Sequence, residues 1–329
     1  MEWDLEFQEG QGTQPIEYLE DSSNSIITEN QSPDVTFRYG LNAYRGCLHG
    51  CSYCYARPGH EYLGFNAGLD FETKIVVKPR AAELFREFLS RPRWKPEPIM
   101  FSGVTDCYQP AERQFRLTRQ CLEVALEFRQ PVSIITKNAL IIRDLDLLSE
   151  LSRHSLIGVM ISITTLDPQL ARDMEPRTSV PQARFRAVKM LAEAGVPVGV
   201  MTAPIIPGLN DSELPALLEA AGQAGAITAG YTLLRLPLTV EPVFKEWLER
   251  TQPDRADKIL GLVRQTRHGK LSNSTFGERM VGDGPIATQI NHLFQVFRKK
   301  YGLNGKFPPL DCSAFRPPLP KTGQLRLFE

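Results

Sequence analysis

The chain has 329 residues, 42% of them hydrophobic and 23% charged, which is the composition of an ordinary globular protein long enough for one large α/β core with extensions. Lys plus Arg and Asp plus Glu both total 38, so no overall positive field gathers a polyanion, and a nucleic-acid partner would need a local patch. No apolar run approaches the ~20 residues of a membrane span, and the opening MEWDLEFQEG is acidic where a secretory signal is basic, so a cytoplasmic protein without membrane attachment is expected.

From Met1 to Val35 the chain carries nine acids and no base. It shows no sustained period and contains the breaker clusters SSNS and QSPD, so residues 1–35 are expected to form an irregular arm that wraps the core or stays mobile. The core begins near Arg38. Short apolar runs at Gly40–Tyr44, Ile99–Ser102, Val132–Thr136, Ile157–Ile163, Val198–Ala203 and Ala229–Leu233 are the predicted strands. Between them the 3.6 period predicts helices over Phe115–Phe128, Leu145–Leu151, Arg184–Ala194 and Ser212–Ala224, the last with Ser212 as N-cap. About six βα units of this kind demand a parallel sheet, and strands apolar on both faces fit one. After Pro237 the alternation stops. Helices are predicted over Asp254–His268 and Ile286–Tyr301, so residues 36–237 read as the core and 238–329 as a mainly helical extension ending in the Pro-rich FRPPLPKTG. Arg298 to Arg326 holds seven bases against Asp311 alone, and this basic tail can pair with the acidic head.

Three of the six cysteines, Cys47, Cys51 and Cys54, fall within eight residues in the segment GCLHGCSYC. Six cysteines in a long cytosolic chain are too few for a disulfide scaffold, so metal or redox chemistry is indicated. Thiolates suit an iron–sulfur cluster, and three on one loop hold three irons of a cubane while the fourth stays open. Zinc would need a fourth ligand, and His49 sits inside the loop, badly placed to complete a tetrahedron. Glycines and polar residues interrupt the segment, which is not how a buried apolar face is written. Cys121 lies on the apolar stripe of a helix and reads as packing, and Cys312 stands alone.

The segments GLNAYRGCLHGCSYCYARPGHEYL, SGVTDCYQPAE, ITKN, SITTLD, EPRT and APIIPGLND, spread from about Arg38 to Pro237, resemble the radical S-adenosylmethionine (SAM) superfamily. Within it they are most similar to the spore photoproduct lyase-like branch. The resemblance implies a partial (β/α)6 barrel, a [4Fe–4S] cluster, and SAM chelated to the open iron and cleaved to methionine and a 5′-deoxyadenosyl radical. It also implies electrons from a flavodoxin- or ferredoxin-type reductant. Residue by residue, it implies Cys47, Cys51 and Cys54 as cluster ligands and Tyr53 near the adenine. Gly103, Thr105 and Asp106 then lie in the motif at the SAM ammonium, with Lys137 and Ser162 as SAM contacts, Lys137 suiting the methionyl carboxylate. Ile205 and Ile206 form an apolar adenine shelf, with Gly208 behind it. Arg177 can grip a carboxylate or phosphate, or the Glu175–Arg177 pair can brace the loop. Cys107 and Tyr108 are candidate catalytic residues, Cys107 as a hydrogen-atom donor, and Tyr108 and Gln109 face the substrate.

The expected function is therefore hydrogen-atom abstraction from a substrate that the sequence does not identify. Zero net charge favours a small molecule or peptide, while only the family association and the basic tail favour a damaged nucleobase. The alternative of another class is a non-catalytic iron–sulfur electron carrier or redox sensor, which has no need of a cofactor cleft lined by Asp106, Lys137 and Ser162.

Overall fold

The computed structural model describes residues 15–317. The acidic head up to Gln14 and the end of the Pro-rich tail, with Lys321 and Arg326, lie outside the described residues. Ten strands follow in chain order: β1 (Glu17–Glu20), β2 (Ile27–Glu29), β3 (Tyr39–Leu41), β4 (Tyr44–Arg45), β5 (Lys74–Val77), β6 (Ile99–Phe101), β7 (Val132–Thr136), β8 (Ile157–Ser162), β9 (Val198–Ile205) and β10 (Thr228–Leu233). Among the described residues the main sheet has seven strands in the order β10-β9-β8-β7-β6-β3-β2.

From β3 through β6 to β10 every neighbouring pair is parallel. Each crossover carries a helix: Ala81–Leu89, Leu117–Phe128, Leu145–Arg153, Pro181–Glu193 and Leu214–Gln223 in turn. This is the expected six-unit α/β partial barrel, held by strands whose residues, such as Ile134, Val159, Ile161 and Val200, are sealed from solvent. Helix Gly284–Lys300 packs on helix Leu214–Gln223 and on β10. Helices Val240–Thr251 and Ala256–Gln265 bury Phe244, Trp247, Ile259 and Val263 in a second apolar cluster that also contains Cys51, Tyr53 and Ile206.

Several expectations are corrected. The arm is not irregular where it is described. β2 pairs antiparallel with β3 at the sheet edge, and β1 pairs parallel with β5 in a small sheet ordered β1-β5-β4. Side chains on β1 are mostly exposed, so backbone pairing to a ready edge makes this strand and no apolar alternation announces it. The first predicted strand breaks in two, β3 joining the barrel sheet and β4 the small sheet. Helix Phe115–Phe128 begins only at Leu117, because Arg116 adopts φ +52° and separates it from a short helix Glu112–Phe115. Ser212 does not cap a helix; a 3-10 turn Asp211–Glu213 precedes helix Leu214–Gln223. Among the described residues no helix is long and apolar enough to cross a membrane.

Candidate metal centre and active site

The three-cysteine loop leaves β4 at the ends of the parallel strands and is turned by two glycines. Gly46 has φ +77°, and a Cβ there would meet Phe71 O at 2.9 Å; Gly50 has φ +64°, and a Cβ there would lie 2.0 Å from Glu72 Oε2 and 2.8 Å from Arg177 Nη2. All three thiols are free, Cys47 and Cys51 buried and Cys54 half-buried. Burial, then the Asp106 carboxylate and Cys54, pushes the Cys47 thiol up to about 12. Burial and Glu175 raise Cys51 well above a thiol's ordinary value, with Cys54 and Cys47 adding to the rise. Buried thiols such as Cys47 and Cys51 become thiolates only against a cation, and the three-cysteine donor set fits three irons of a cubane. Among the described residues no three His, Cys, Asp or Glu groups converge as around a single metal ion. A cubane does not require that, since each thiolate binds a different iron. Ser52 Oγ on the same loop is buried without a hydrogen-bond partner among the described residues, a donor available to the group the loop holds.

A dense set of braces fixes the loop. Leu48 N donates to Gln109 Oε1 at 2.8 Å, while Gln109 Nε2 donates to Gly46 O at 3.2 Å and to Thr105 Oγ1 at 2.7 Å. Thr105 Oγ1 donates to Gly46 O at 2.7 Å. Arg57, buried, donates through Nε to Cys51 O and through Nη2 to Gly50 O, both at 3.0 Å. Arg177 donates to Leu48 O and pairs with Glu72 Oε2 at 3.0 Å. It is a brace, and its partner is Glu72 and not the Glu175 two residues away.

His49 has Nδ1 3.4 Å from Asp106 Oδ2 and Nε2 3.3 Å from Asn138 Nδ2, so both ring nitrogens are engaged by protein, which removes it as a zinc ligand. Asp106 in turn is consumed locally. Its Oδ1 accepts from Tyr108 N at 2.9 Å and Thr136 Oγ1 at 2.7 Å, and its Oδ2 from Lys137 N at 2.8 Å. The carboxylate expected at the SAM ammonium thus ties the ends of β6 and β7 to the loop. Gly103, at φ +135°, remains free to serve: a Cβ there would meet nothing within 4 Å. Its carbonyl accepts from the Tyr55 hydroxyl.

At the end of β7 the Lys137 ammonium stands 5.8 Å from the centroid of the Tyr53 ring. Tyr53 donates to Glu175, which also accepts from Thr164 Oγ1 at 3.0 Å and Arg184 Nη2 at 2.5 Å. Burial pushes the Glu175 carboxyl up, but Arg184 and then Lys137 outweigh it and hold it below its ordinary value. Ser162 closes β8, its carbonyl accepting from Arg184 Nη1 at 3.0 Å. Ile205 ends β9 and Ile206 follows it, both buried, with Ile206 N donating to Asn210 Oδ1 at 2.7 Å. Cys51, Tyr53, Lys137, Gly103 and Ile206 are therefore brought to one end of the barrel by three strand ends and one loop.

The two catalytic candidates fare differently. Tyr108 is fully enclosed and donates to Asp144 Oδ2 at 3.1 Å, and Gln109 is spent on the loop, so neither faces a substrate. Cys107 packs in the main core, its amide donating to Ser102 Oγ at 3.1 Å, and burial raises its thiol well above the ordinary value. Its thiol is free and 5% exposed. Cys121 is core packing, as read from its stripe. The sequence reading missed Arg57, Glu72 and Arg184.

The model of the Radical SAM superfamily matches residues 41–221. The chain belongs to the radical SAM superfamily. Its similarity to curated proteins runs to an uncharacterized protein of Mycobacterium tuberculosis strain H37Rv, 39% identical over 70% of this chain and 68% of that one. An uncharacterized protein of Methanocaldococcus jannaschii is 30% identical over 74% of this chain and 87% of that one. One of Acidianus two-tailed virus is 33% identical, covering 82% of each chain. Among solved structures, spore photoproduct lyase complexed with dinucleoside spore photoproduct superposes with a TM-score of 0.64 at 15% identity, covering 86% of this chain and 79% of that one, a likeness of fold. A radical SAM protein works with a [4Fe–4S] cluster and SAM, and these are the cofactors of this chain. It is a SAM-dependent radical enzyme that draws electrons from a reductant and acts on a substrate.

Proposed function

We propose that this radical SAM protein abstracts a hydrogen atom from a small-molecule or peptide substrate at the mouth of its barrel, taking electrons from a flavodoxin- or ferredoxin-type reductant. The observation that carries this reading is the meeting of three free thiols on one loop with a half-buried lysine over an aromatic ring at the strand ends. When bound, the cluster and SAM supply an electron and a hydrogen-abstracting carbon radical. The chain's own part is to hold and orient. Cys47, Cys51 and Cys54 take the irons. Lys137 attracts the methionyl carboxylate as a point charge. The Gly103 backbone offers its carbonyl to the ammonium. Tyr53, Ser162, Ile205 and Ile206 enclose the remaining cofactor and exclude water from it. Asp106 and Arg177 act through the loop they brace.

Superfamily membership supports the radical mechanism, and the spread of its motifs over several strand ends supports an enzyme over an electron carrier, which needs no cleft. The neutral overall charge supports a substrate other than a long polyanion. Spore photoproduct lyase, which shares the fold, was solved with a dinucleoside, so a damaged nucleobase is the second reading.

The test is uncoupled turnover. Dithionite-reduced, reconstituted protein with SAM alone is expected to form 5′-deoxyadenosine and methionine in equal amounts, because the bound cofactor and the electron are all this step requires. The Cys51→Ala protein should form neither. Reduced protein that binds SAM yet gives no deoxyadenosine, even with cell extract added, refutes the proposal.

A further inference from the structure

After β10 the chain is pinned on both sides of one arginine. Leu234 N donates to Ile205 O at 2.9 Å and Leu236 N to Leu271 O at 3.2 Å, and both leucines are buried in the apolar cluster that holds Cys51 and Tyr53. Arg235 between them sends its guanidinium elsewhere, to 5.2 Å from the centroid of the Tyr55 ring. Tyr55 follows Cys54 directly, is 51% exposed, and reaches Gly103 O with its hydroxyl. Arg235 thus stands one aromatic ring away from both the third cluster ligand and the open backbone at the end of β6.

Two further guanidiniums lie close enough to be felt. Arg267 is buried and spends its donors on the carbonyls of Leu233, Leu234, Glu278 and Arg279. Arg279 pairs with Asp34 and stacks on Phe276 at 4.6 Å. This pair, with Gly277 N donating to Asp34 Oδ1 at 2.7 Å, ties the C-terminal extension to the arm whose strand β2 forms the far edge of the sheet. Asp34, already paired with Arg279, is the carboxylate whose charge also reaches Arg235. Burial and then Arg279 pull the pKa of Arg235 below its ordinary value, with Tyr55 and Asp34 opposing. Among the described residues Arg235 makes no hydrogen bond and no ion pair.

A half-buried guanidinium keeps five N–H donors in a planar fork, and none of those of Arg235 is among the buried unpaired atoms, so they face solvent where an oxyanion can replace water. The fork fits an oxyanion bidentately, and the ring beneath holds the guanidinium plane in place. We propose that Arg235 binds an oxyanion of the substrate, a phosphate or a carboxylate, over Tyr55 at the barrel mouth, so that this protein acts on an anionic molecule. This rests on the mouth being the substrate site. Lys137, over the Tyr53 ring, is left for the cofactor.

Calorimetric titration of anaerobically reconstituted, SAM-loaded protein with inorganic phosphate and with acetate, against a chloride baseline, tests this and tells the two oxyanions apart. Saturable binding of at least one is expected, weakened by at least about ten-fold in Arg235→Gln, as for loss of a charge-assisted pair. Arg235→Lys, which keeps the charge and loses the fork, should fall between. SAM affinity should stay within about two-fold in both variants, since Arg235 makes no hydrogen bond or ion pair with a residue assigned to SAM and acts there only through Tyr55. The inference is overturned if neither anion binds above chloride, or if both bind Arg235→Gln as well as the parent. It is equally overturned if Arg235→Gln loses SAM instead, which would make Arg235 a cofactor residue. Arg235-dependent anion binding in protein that forms no deoxyadenosine would keep the anion site and remove the radical reading alone.

Discussion

Replacing Arg184 by Met removes the cation from a carboxylate that has no other neutralising partner in hydrogen-bond reach. Arg184 and Glu175 have side chains 1% and 0% exposed and meet at 2.5 Å. Arg184 also donates to Ser179 O at 2.7 Å and to Ser162 O at 3.0 Å, so it joins the end of β8 to the segment that follows helix Pro168–Met174. Stripped of Arg184, Glu175 keeps only the hydroxyls of Tyr53 and Thr164. Breaking a buried pair from one side costs about 3–5 kcal/mol, chiefly as the stranded charge. At about 2 °C per kcal/mol for a large domain, the melting temperature should fall by about 6–10 °C. Urea and thermal unfolding of reconstituted protein, followed anaerobically by circular dichroism, measure it. Adding Glu175→Gln removes the charge and should recover more than half of the loss. The sign with pH follows. In the single variant the folded-state pKa of Glu175 rises above its unfolded value, so the deficit is full at about pH 8 and shrinks toward about pH 5 as the carboxyl takes up a proton, while the double variant shows no such trend. A single variant within about 1 kcal/mol of the parent, or a double variant no better than the single, would refute the reasoning.

Any one of Cys47, Cys51 or Cys54 replaced by Ala should abolish the cluster while the barrel persists, because apolar strands bury the core; iron analysis and circular dichroism read both, and about four irons retained per chain would cancel the ligand assignment. Gly50→Ala should impair cluster assembly nearly as much, since its Cβ would fall 2.0 Å from Glu72 Oε2 and 2.8 Å from Arg177 Nη2 at φ +64°, and iron content after reconstitution checks it. Lys137→Ala should keep the cluster and weaken SAM binding by about ten-fold or more, followed by the spin-resonance signal of the reduced cluster. Asp21, which lies 3.0 Å from Lys78 Nζ, has its pKa raised by burial but brought down to about 2 by the Ser23 amide and hydroxyl and by Lys78. A depressed carboxylate stabilises fully above its unfolded value of about 3.9 and ceases to do so as pH falls through the folded one, so the stability gap between parent and Asp21→Asn should hold above about pH 5 and close toward about pH 2.

The barrel was legible because burial on both faces writes each strand as a short apolar run, and no other element of this length is written so. Val132–Thr136 appears with the very bounds read from its pattern. β1 and β2 were not legible for the complementary reason: their side chains are largely exposed, and only main-chain bonds to an open edge define them. The break at Arg116 is likewise a backbone event, a single left-handed residue inside a continuous helical stripe.

In the site, the residues legible in the sequence were those whose chemistry depends on spacing along the chain, the three cysteines above all. The braces obey no spacing. Glu72, Gln109 and Arg177 reach the loop from three separate segments, and only the fold makes them its neighbours, while Arg57 follows Cys54 by three residues. Another buried cation did leave a signal. Arg184, Ala187, Val188 and Leu191 fall at i, i+3, i+4 and i+7, and all four are buried on one face of helix Pro181–Glu193. A cation at the head of an apolar stripe implies a buried acid awaiting it, and Glu175, nine residues earlier in sequence, is that acid. Asp106 shows what spacing alone does not. A carboxylate at a strand end beside a cofactor motif invites a role as ligand, and the fold adds three donors to it, from Tyr108, Thr136 and Lys137. Its negative charge still matters, because it keeps His49 engaged and fixes the residue that carries the Lys137 ammonium. The cleft is thus shaped by charges engaged within the protein, and Lys137 and Arg235, whose side chains make no hydrogen bond among the described residues, are where a ligand has something to gain.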